Sequence, residues 1–236
     1  MFILKQLLNF SFKKSSGIIF LSNYAKDNIL RGLTNKKSTV IAHGCEKNRF
    51  IRKVNKASIN LIYVSNTDPY KNHLFLINSL YNLEIKQMVS IYFVGEKGIC
   101  HQEIEDNIIK FNKKNKKIKI YFIGPLKYKF LKSFYLKSDG MIFSSTCENF
   151  PNIILEGMSF KLPILCPNVG PLNEIIGKND FYYNANNHKS LKNKMIKLIK
   201  DRILRKKNGH RNFISAKKFN WSKTSTQTFN FIEKIL

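Results

Sequence analysis

A chain of 236 residues holds one large domain, or one complete domain carrying part of another, and its 43% hydrophobic content supplies a core that excludes a disordered protein. The formal charge of +26 rests on 35 lysines and only 6 arginines, beside 27 asparagines; this joint excess is what an A-rich coding sequence yields, and it argues against a surface that reads phosphates and bases through the arginine fork. No apolar run reaches the about 18 residues that cross a bilayer, and the opening MFILKQLLNF lacks the basic start and small-residue cleavage site of a signal peptide, so a cytoplasmic protein is expected.

The first elements are a strand from Ile18 to Leu21, a helix from Tyr24 to Leu33 and a strand from Thr39 to Ala42. Two strands cannot make an α/β domain covered on both faces. Residues 1–52 are therefore expected to be the remnant of a preceding domain and its linker, with Phe2, Leu4, Leu7 and Phe12 on an uncovered apolar face. From Ile59 onward, short β-branched and aromatic runs alternate with amphipathic stretches, which specifies a parallel sheet covered by helices. Strands are predicted at Leu61 to Val64, Ile91 to Val94, Ile118 to Ile123, Met141 to Phe143, Ile164 to Cys166 and Phe181 to Tyr183. The helices between them are His73 to Asn82, Gln102 to Asn115, Tyr128 to Leu136, Asn152 to Phe160, Pro171 to Ile176 and Lys189 to Lys200. The run KKNKKIK, 113–119, reads as a solvated loop, and Trp221 as a packing anchor ahead of a last amphipathic helix. Cys45, Cys100, Cys147 and Cys166 lie far apart with no C-x-x-C pair, as reduced packing residues do.

The chemistry concentrates in CENFPNIILEGMSFKLPILCPNVGPLNEII, residues 147–176. Glu148 follows a buried strand, Pro151 is expected at the first helical position, and Glu156 lies about two helical turns beyond Glu148. Free amides at Asn152 and Ile153, at the positive end of the helix dipole, suit an anion such as a diphosphate. A carboxylate inside the helix suits the two hydroxyls of a ribose. Together they suit a nucleotide-sugar. Glu174 faces the donor or caps its helix; His43 and His73 read as structural or solvated; Asp68, before Pro69, shapes a turn.

Glu148 and Glu156 as E-x7-E, followed by GMSFKLPILCPNVGPLNEII, resemble the donor signature of the retaining glycosyltransferases of family 4, the group 1 glycosyltransferases. GIIFLSNYAKDNIL, TVIAHGCEKNRF, LIYVSNTDPYKNH and FNWSKTSTQTFNFI extend the resemblance over nearly the whole chain, and the SNTDPYKNH and ENFPNIILEGM wording is similar to a subset that builds bacterial cell-surface polysaccharide. The resemblance implies an α/β protein of GT-B type, with one complete Rossmann-like doubly wound parallel sheet and the remnant of a second such domain. Residues 1–52 would then be the acceptor-side remnant and linker, 53–220 the nucleotide-sugar-binding domain and 221–236 the closing helix.

It implies roles as well. Lys71 matches the lysine that neutralises the leaving diphosphate. Glu156 matches the ribose-binding carboxylate, and Glu148, with the backbone of Asn149, Phe150, Pro151, Asn152 and Ile153, the group around the sugar and its diphosphate. Gly124 to Leu126 match the loop holding the nucleobase, and Asn66 and Gly95 lie in turns at the nucleotide pocket. No cofactor is implied, and no metal, in keeping with the absence of D-x-D from the chain. The implied partners are a nucleotide-diphosphate sugar and a glycan or lipid-linked acceptor, with peripheral association at the inner face of the cytoplasmic membrane, a separate chain supplying the missing domain, and no nucleic acid. Departures are Ser65-Asn66 in place of Gly-Arg, which removes one phosphate cation, and Pro151-Asn152 in place of Gly and an aliphatic residue. The first domain's glycine-rich loop and histidine are also without a counterpart. Three functions are compatible with these residues: a retaining hexosyltransferase, an inactive or split donor-binding domain, and a basic module for RNA or anionic lipid.

Overall fold

The computed structural model describes residues 2–29, 37–46 and 58–236, and within them a six-stranded parallel sheet. The strands are β3 (Ser58–Val64), β4 (Met88–Val94), β5 (Ile118–Gly124), β6 (Gly140–Ile142), β7 (Ile164–Pro167) and β8 (Tyr182–Tyr183). The helices that cross between them are α3 (His73–Leu80), α4 (His101–Lys114), α5 (Tyr128–Lys137), α6 (Asn152–Ser159) and α7 (Leu172–Ile176), with α8 (His188–Lys200) and α9 (Arg202–Ala216) after β8. Burial explains the composition of the strands. In the central β3 the last four residues, Leu61 to Val64, are all buried, as helices on both faces require. In the edge strand β5 the pattern breaks, and Tyr121 and Ile123 are exposed. The crossover helices follow the 3.6-residue period: α4 buries Ile104, Ile108 and Phe111, and α8 buries Leu191, Met195, Leu198 and Ile199 behind an Asn187 cap.

The strand order reverses between β3 and β6. Going one way from β3 lie β4 and β5; going the other lie β6, β7 and β8. The loops leaving the carboxyl ends of β3 and β6 therefore splay apart and leave a crevice, the place where doubly wound folds bind ligands.

The first segment is a separate two-stranded parallel sheet, β1 (Ile18–Phe20) beside β2 (Ser38–Val40), with α1 (Phe2–Lys14) before it and α2 (Asn23–Ile29) between. The α1 helix has no counterpart among the predicted elements, and the last residues of the predicted 24–33 helix lie outside the described residues. Phe12 is half-buried against Ile18, Phe20 and Ala25, which corrects its placement on an uncovered face, whereas Leu7 is exposed as expected. The side chains of Phe2 and Leu4 lie outside the described ones. The closing helix α10 (Trp221–Glu233) is hydrogen-bonded to this segment: Thr224 Oγ1 donates to the Ala42 carbonyl at 2.8 Å. Among the described residues no helix is long and apolar enough to cross a membrane.

Candidate functional site

The site is built from the two loops at the crevice. After β3 the chain passes through Ser65 to Asp68 into a 3-10 turn, Pro69–Lys71, ended by Asn72 at φ 63°. Asp68 shapes this turn as expected, accepting from Asn66 Nδ2 at 2.6 Å and from the Ile99 amide at 3.3 Å. The loop after β6 clasps the turn. Ser144 Oγ donates to the Lys71 carbonyl at 2.9 Å, as does the Tyr63 hydroxyl at 2.5 Å, and the Thr146 amide and hydroxyl donate to the Tyr70 carbonyl at 2.9 and 3.2 Å. This hydroxyl run is not among the residues the sequence singled out, although its signal is there: Ser144-Ser145-Thr146 directly follow a buried strand, where unpaired backbone carbonyls need donors.

The clasp brings Lys71 and Glu148 into one cleft of about 290 Å³, which Asn66, Phe150, Pro151, Asn152 and Ile153 also line. Lys71 Nζ lies 2.6 Å from Glu148 Oε1, with the two side chains only 12% and 18% exposed, and 4.6 Å from the centre of the Tyr70 ring. Pro151, expected as the first helical residue, is instead the cap before it. Its φ of −77° suits a helix while its ψ of 102° is extended, and its carbonyl accepts the first helical bond, from Ile154 at 3.0 Å. No side chain caps α6, and among the described residues the Asn152 and Ile153 amides have no acceptor. That leaves the positive end of α6 free for an anion.

A second cleft, of about 200 Å³, is lined by Glu156, Tyr128, Ser159, Trp221 and the 44–46 segment, and it shares Asn152 with the first. Glu156 accepts a hydrogen bond from the Tyr135 hydroxyl at 2.9 Å; burial raises its pKa, and the tyrosine bond only partly offsets this. Trp221 is 53% exposed on the rim of this cleft, a correction to the expected packing anchor. It stands there because the chain before it is pressed on Gly44, where any Cβ would lie 2.3 Å from the Trp221 nitrogen. His43 bridges the two clefts: Nδ1 is 2.8 Å from Asn152 Oδ1, and its ring lies between Phe150 and Trp221 at 5.5 and 5.7 Å.

Other candidate residues stand apart. Gly95, Gly124 and Leu126 line neither cleft. Gly95 directly follows β4, with its amide on the Gly124 carbonyl at 3.0 Å, at a φ of 150° where a Cβ would sit 2.0 Å from the Ser65 oxygen. Only glycine lets these strand ends pack against the Ser65 loop. Glu174 neither faces the clefts nor caps its own helix. Its carboxylate accepts from the Asn23 and Tyr24 amides at 2.9 and 2.5 Å and so caps α2, about 150 residues away. His73 is structural: it stacks on Tyr63 at 4.6 Å, and burial, with Lys71 nearby, pushes its pKa down to about 3.

Comparison with known proteins identifies relatives in sequence and in fold. An uncharacterised glycosyltransferase of Methanocaldococcus jannaschii is 28% identical over 212 residues, 89% of this chain and 57% of the relative. The O-antigen chain mannosyltransferase B of Escherichia coli is 25% identical over 72% of this chain and 44% of its own length. Anabaena HepE, crystallised with UDP and glucose, superposes with a TM-score of 0.83 at 18% identity, covering 98% of this chain and 66% of that one. The chain thus spans about half the length of the curated relatives it matches, and it shares the GT-B architecture of its structural neighbour. Residues 45–213, which carry Lys71, Glu148 and Glu156, match the family of glycosyl transferases group 1, and the chain belongs to that family.

Proposed function

We propose that this chain binds a nucleotide-diphosphate sugar across the two joined clefts and acts as a retaining hexosyltransferase toward a glycan or lipid-linked acceptor in cell-surface polysaccharide assembly. The observation that carries the reading is the convergence of Lys71 and the unpaired α6 amides on one cleft that shares a wall with the Glu156 cleft. The spacing suits one ligand: diphosphate against Lys71 and the Asn152 and Ile153 amides, ribose hydroxyls on Glu156, sugar against Glu148. The relatives support the class of chemistry, one being a mannosyltransferase of O-antigen chains and one having been crystallised with UDP and glucose.

In this reading residues 53–220 form the donor-binding domain, 1–52 are the acceptor-side remnant and linker, and 221–236 are the closing helix. Departure of the nucleoside diphosphate builds negative charge on its phosphates and oxocarbenium-like charge on the sugar ring. Lys71 and the helix dipole stabilise the former, so the reaction needs no metal. The acceptor hydroxyl attacks from the face the diphosphate leaves and passes its proton to the departing phosphate oxygen as the new glycosidic bond forms. Work at the cytoplasmic face of a membrane, with peripheral attachment, fits a lipid-linked acceptor.

The test is a thermal-shift panel of UDP, GDP and dTDP with their common sugar conjugates, on the wild-type chain and on Glu156→Ala. A ligand at a hundredfold its Kd adds about 2.7 kcal/mol to folding stability. A shift with one base family, lost in Glu156→Ala, is the expected result. A shift that survives the substitution removes Glu156 from the ribose site, and binding of RNA that is indifferent to the substitution would replace the reading with a basic module.

A further inference from the structure

We infer that the Lys71–Glu148 ion pair makes the site discriminate an intact sugar donor from the bare nucleoside diphosphate, Glu148 acting against the product. The inference rests on the donor-site reading above and deepens it.

Glu148 stands at a junction. On one side it lines the cleft that holds Lys71 and the free α6 amides; on the other it lines a recess of about 130 Å³ with Ser145, Thr146 and Asn149. The Lys71 ammonium is its hydrogen-bond donor, at 2.6 Å and mostly out of water. The principal cation of the anion cleft is thus already neutralised by a carboxylate of the same cleft. An arriving diphosphate has to take Lys71 from Glu148. The consequence for Glu148 depends on what the diphosphate carries.

With a sugar attached, ring hydroxyls enter beside Glu148 and donate to it, so both members of the pair find new partners and no ionised group is stranded. With the sugar gone, the diphosphate still claims Lys71, and the Glu148 carboxylate loses that donor while it stands beside a multiply charged anion. Like charges placed so repel strongly. Re-forming the ion pair as the product leaves relieves that repulsion. The cleft therefore favours the donor over its own product through one carboxylate, with no moving lid.

The experiment is calorimetric titration of inorganic diphosphate, a probe that needs no knowledge of the base or the sugar, into the wild-type chain, Glu148→Gln, Glu148→Ala and Lys71→Met at one ionic strength. Both Glu148 variants are checked for folding by circular dichroism, so that failure of one leaves the other. The expected result is binding about tenfold tighter or more in the Glu148 variants, equivalent to about 1.4 kcal/mol, and much weaker in Lys71→Met. With the nucleotide chosen by the thermal-shift panel, the ratio of conjugate to bare diphosphate affinity falls by a similar factor in Glu148→Gln. Diphosphate binding that is lost in Lys71→Met but unchanged or weakened in both Glu148 variants overturns the discrimination and leaves the donor site standing. Binding unaffected by Lys71→Met places the anion elsewhere, and both readings fall.

Discussion

His73 sets the behaviour of this fold in acid. Its ring is buried, stacked on Tyr63 and edge-on to Phe93 at 4.9 Å, with Nε2 3.2 Å from Ser65 Oγ. Burial lowers its pKa to about 3, Lys71 adding to the effect, while the unfolded chain titrates near the ordinary value of 6.5. Between those values the unfolded state binds the proton and the folded state does not, so stability is complete above about 6.5 and is lost as the pH falls toward about 3. His73→Phe keeps the ring stack and removes the titration. Urea melts at pH 7 and pH 4 are expected to show the wild type losing roughly 3 kcal/mol more than the variant. Equal losses would refute a neutral buried imidazole. Glu156 acts in the opposite sense, because its raised pKa makes the folded state the better proton acceptor; comparing the variant with the wild type keeps the two apart.

At the scale of elements, the first segment is tied to the sheet domain by a cap from outside. The α2 helix takes its first-turn acceptors from Ser22, whose hydroxyl receives the Ala25 amide at 3.0 Å, and from Glu174 on the opposite unit, which receives two amides and the Asn23 side chain. A carboxylate at a helix N-terminus also meets the positive end of the dipole. Glu174→Ala is expected to cost about 1–2 kcal/mol locally. Hydrogen exchange reads it: the Asn23 and Tyr24 amides lose about tenfold in protection, while those of β3 and β4 keep theirs. Unchanged protection at Asn23 and Tyr24 would show that Glu174 adds nothing to the cap.

For the whole molecule the governing quantity is the charge of +26, with 15 acidic residues against 41 basic ones. Most of the lysines have no acid to pair with, and their mutual repulsion works against the compact state. Raising potassium chloride from 0.1 to 1 M shortens the screening length from about 10 Å to about 3 Å. The melting temperature is expected to rise by about 2–4 °C for each kcal/mol of repulsion removed. A flat or falling melting temperature would show that the lysines are solvated independently of one another. The same salt weakens anion binding at Lys71, so the two measurements move in opposite directions.

The positions of the six strands and their crossover helices are legible in the sequence, because hydrophobic periods of two and 3.6 are local properties written into consecutive residues. The sequence also placed Glu148 on a turn and Glu156 inside the helix beyond it, since E-x7-E spans one strand-turn-helix unit. Tertiary structure decided what no local pattern carries. Lys71 and Glu148 are 77 residues apart and meet only because β3 lies beside β6, so that the hydroxyls of Ser144 and Thr146 clasp the Lys71 turn. Trp221 was legible as an aromatic ahead of a helix, but its half-exposed place at the Glu156 cleft comes from the close approach of Gly44. Glu174 was legible as an acid in the first turn of α7, but its partners are amides of another unit. Pairing between distant segments is selected by which strands can be buried side by side, and that is a property of the whole packed sheet.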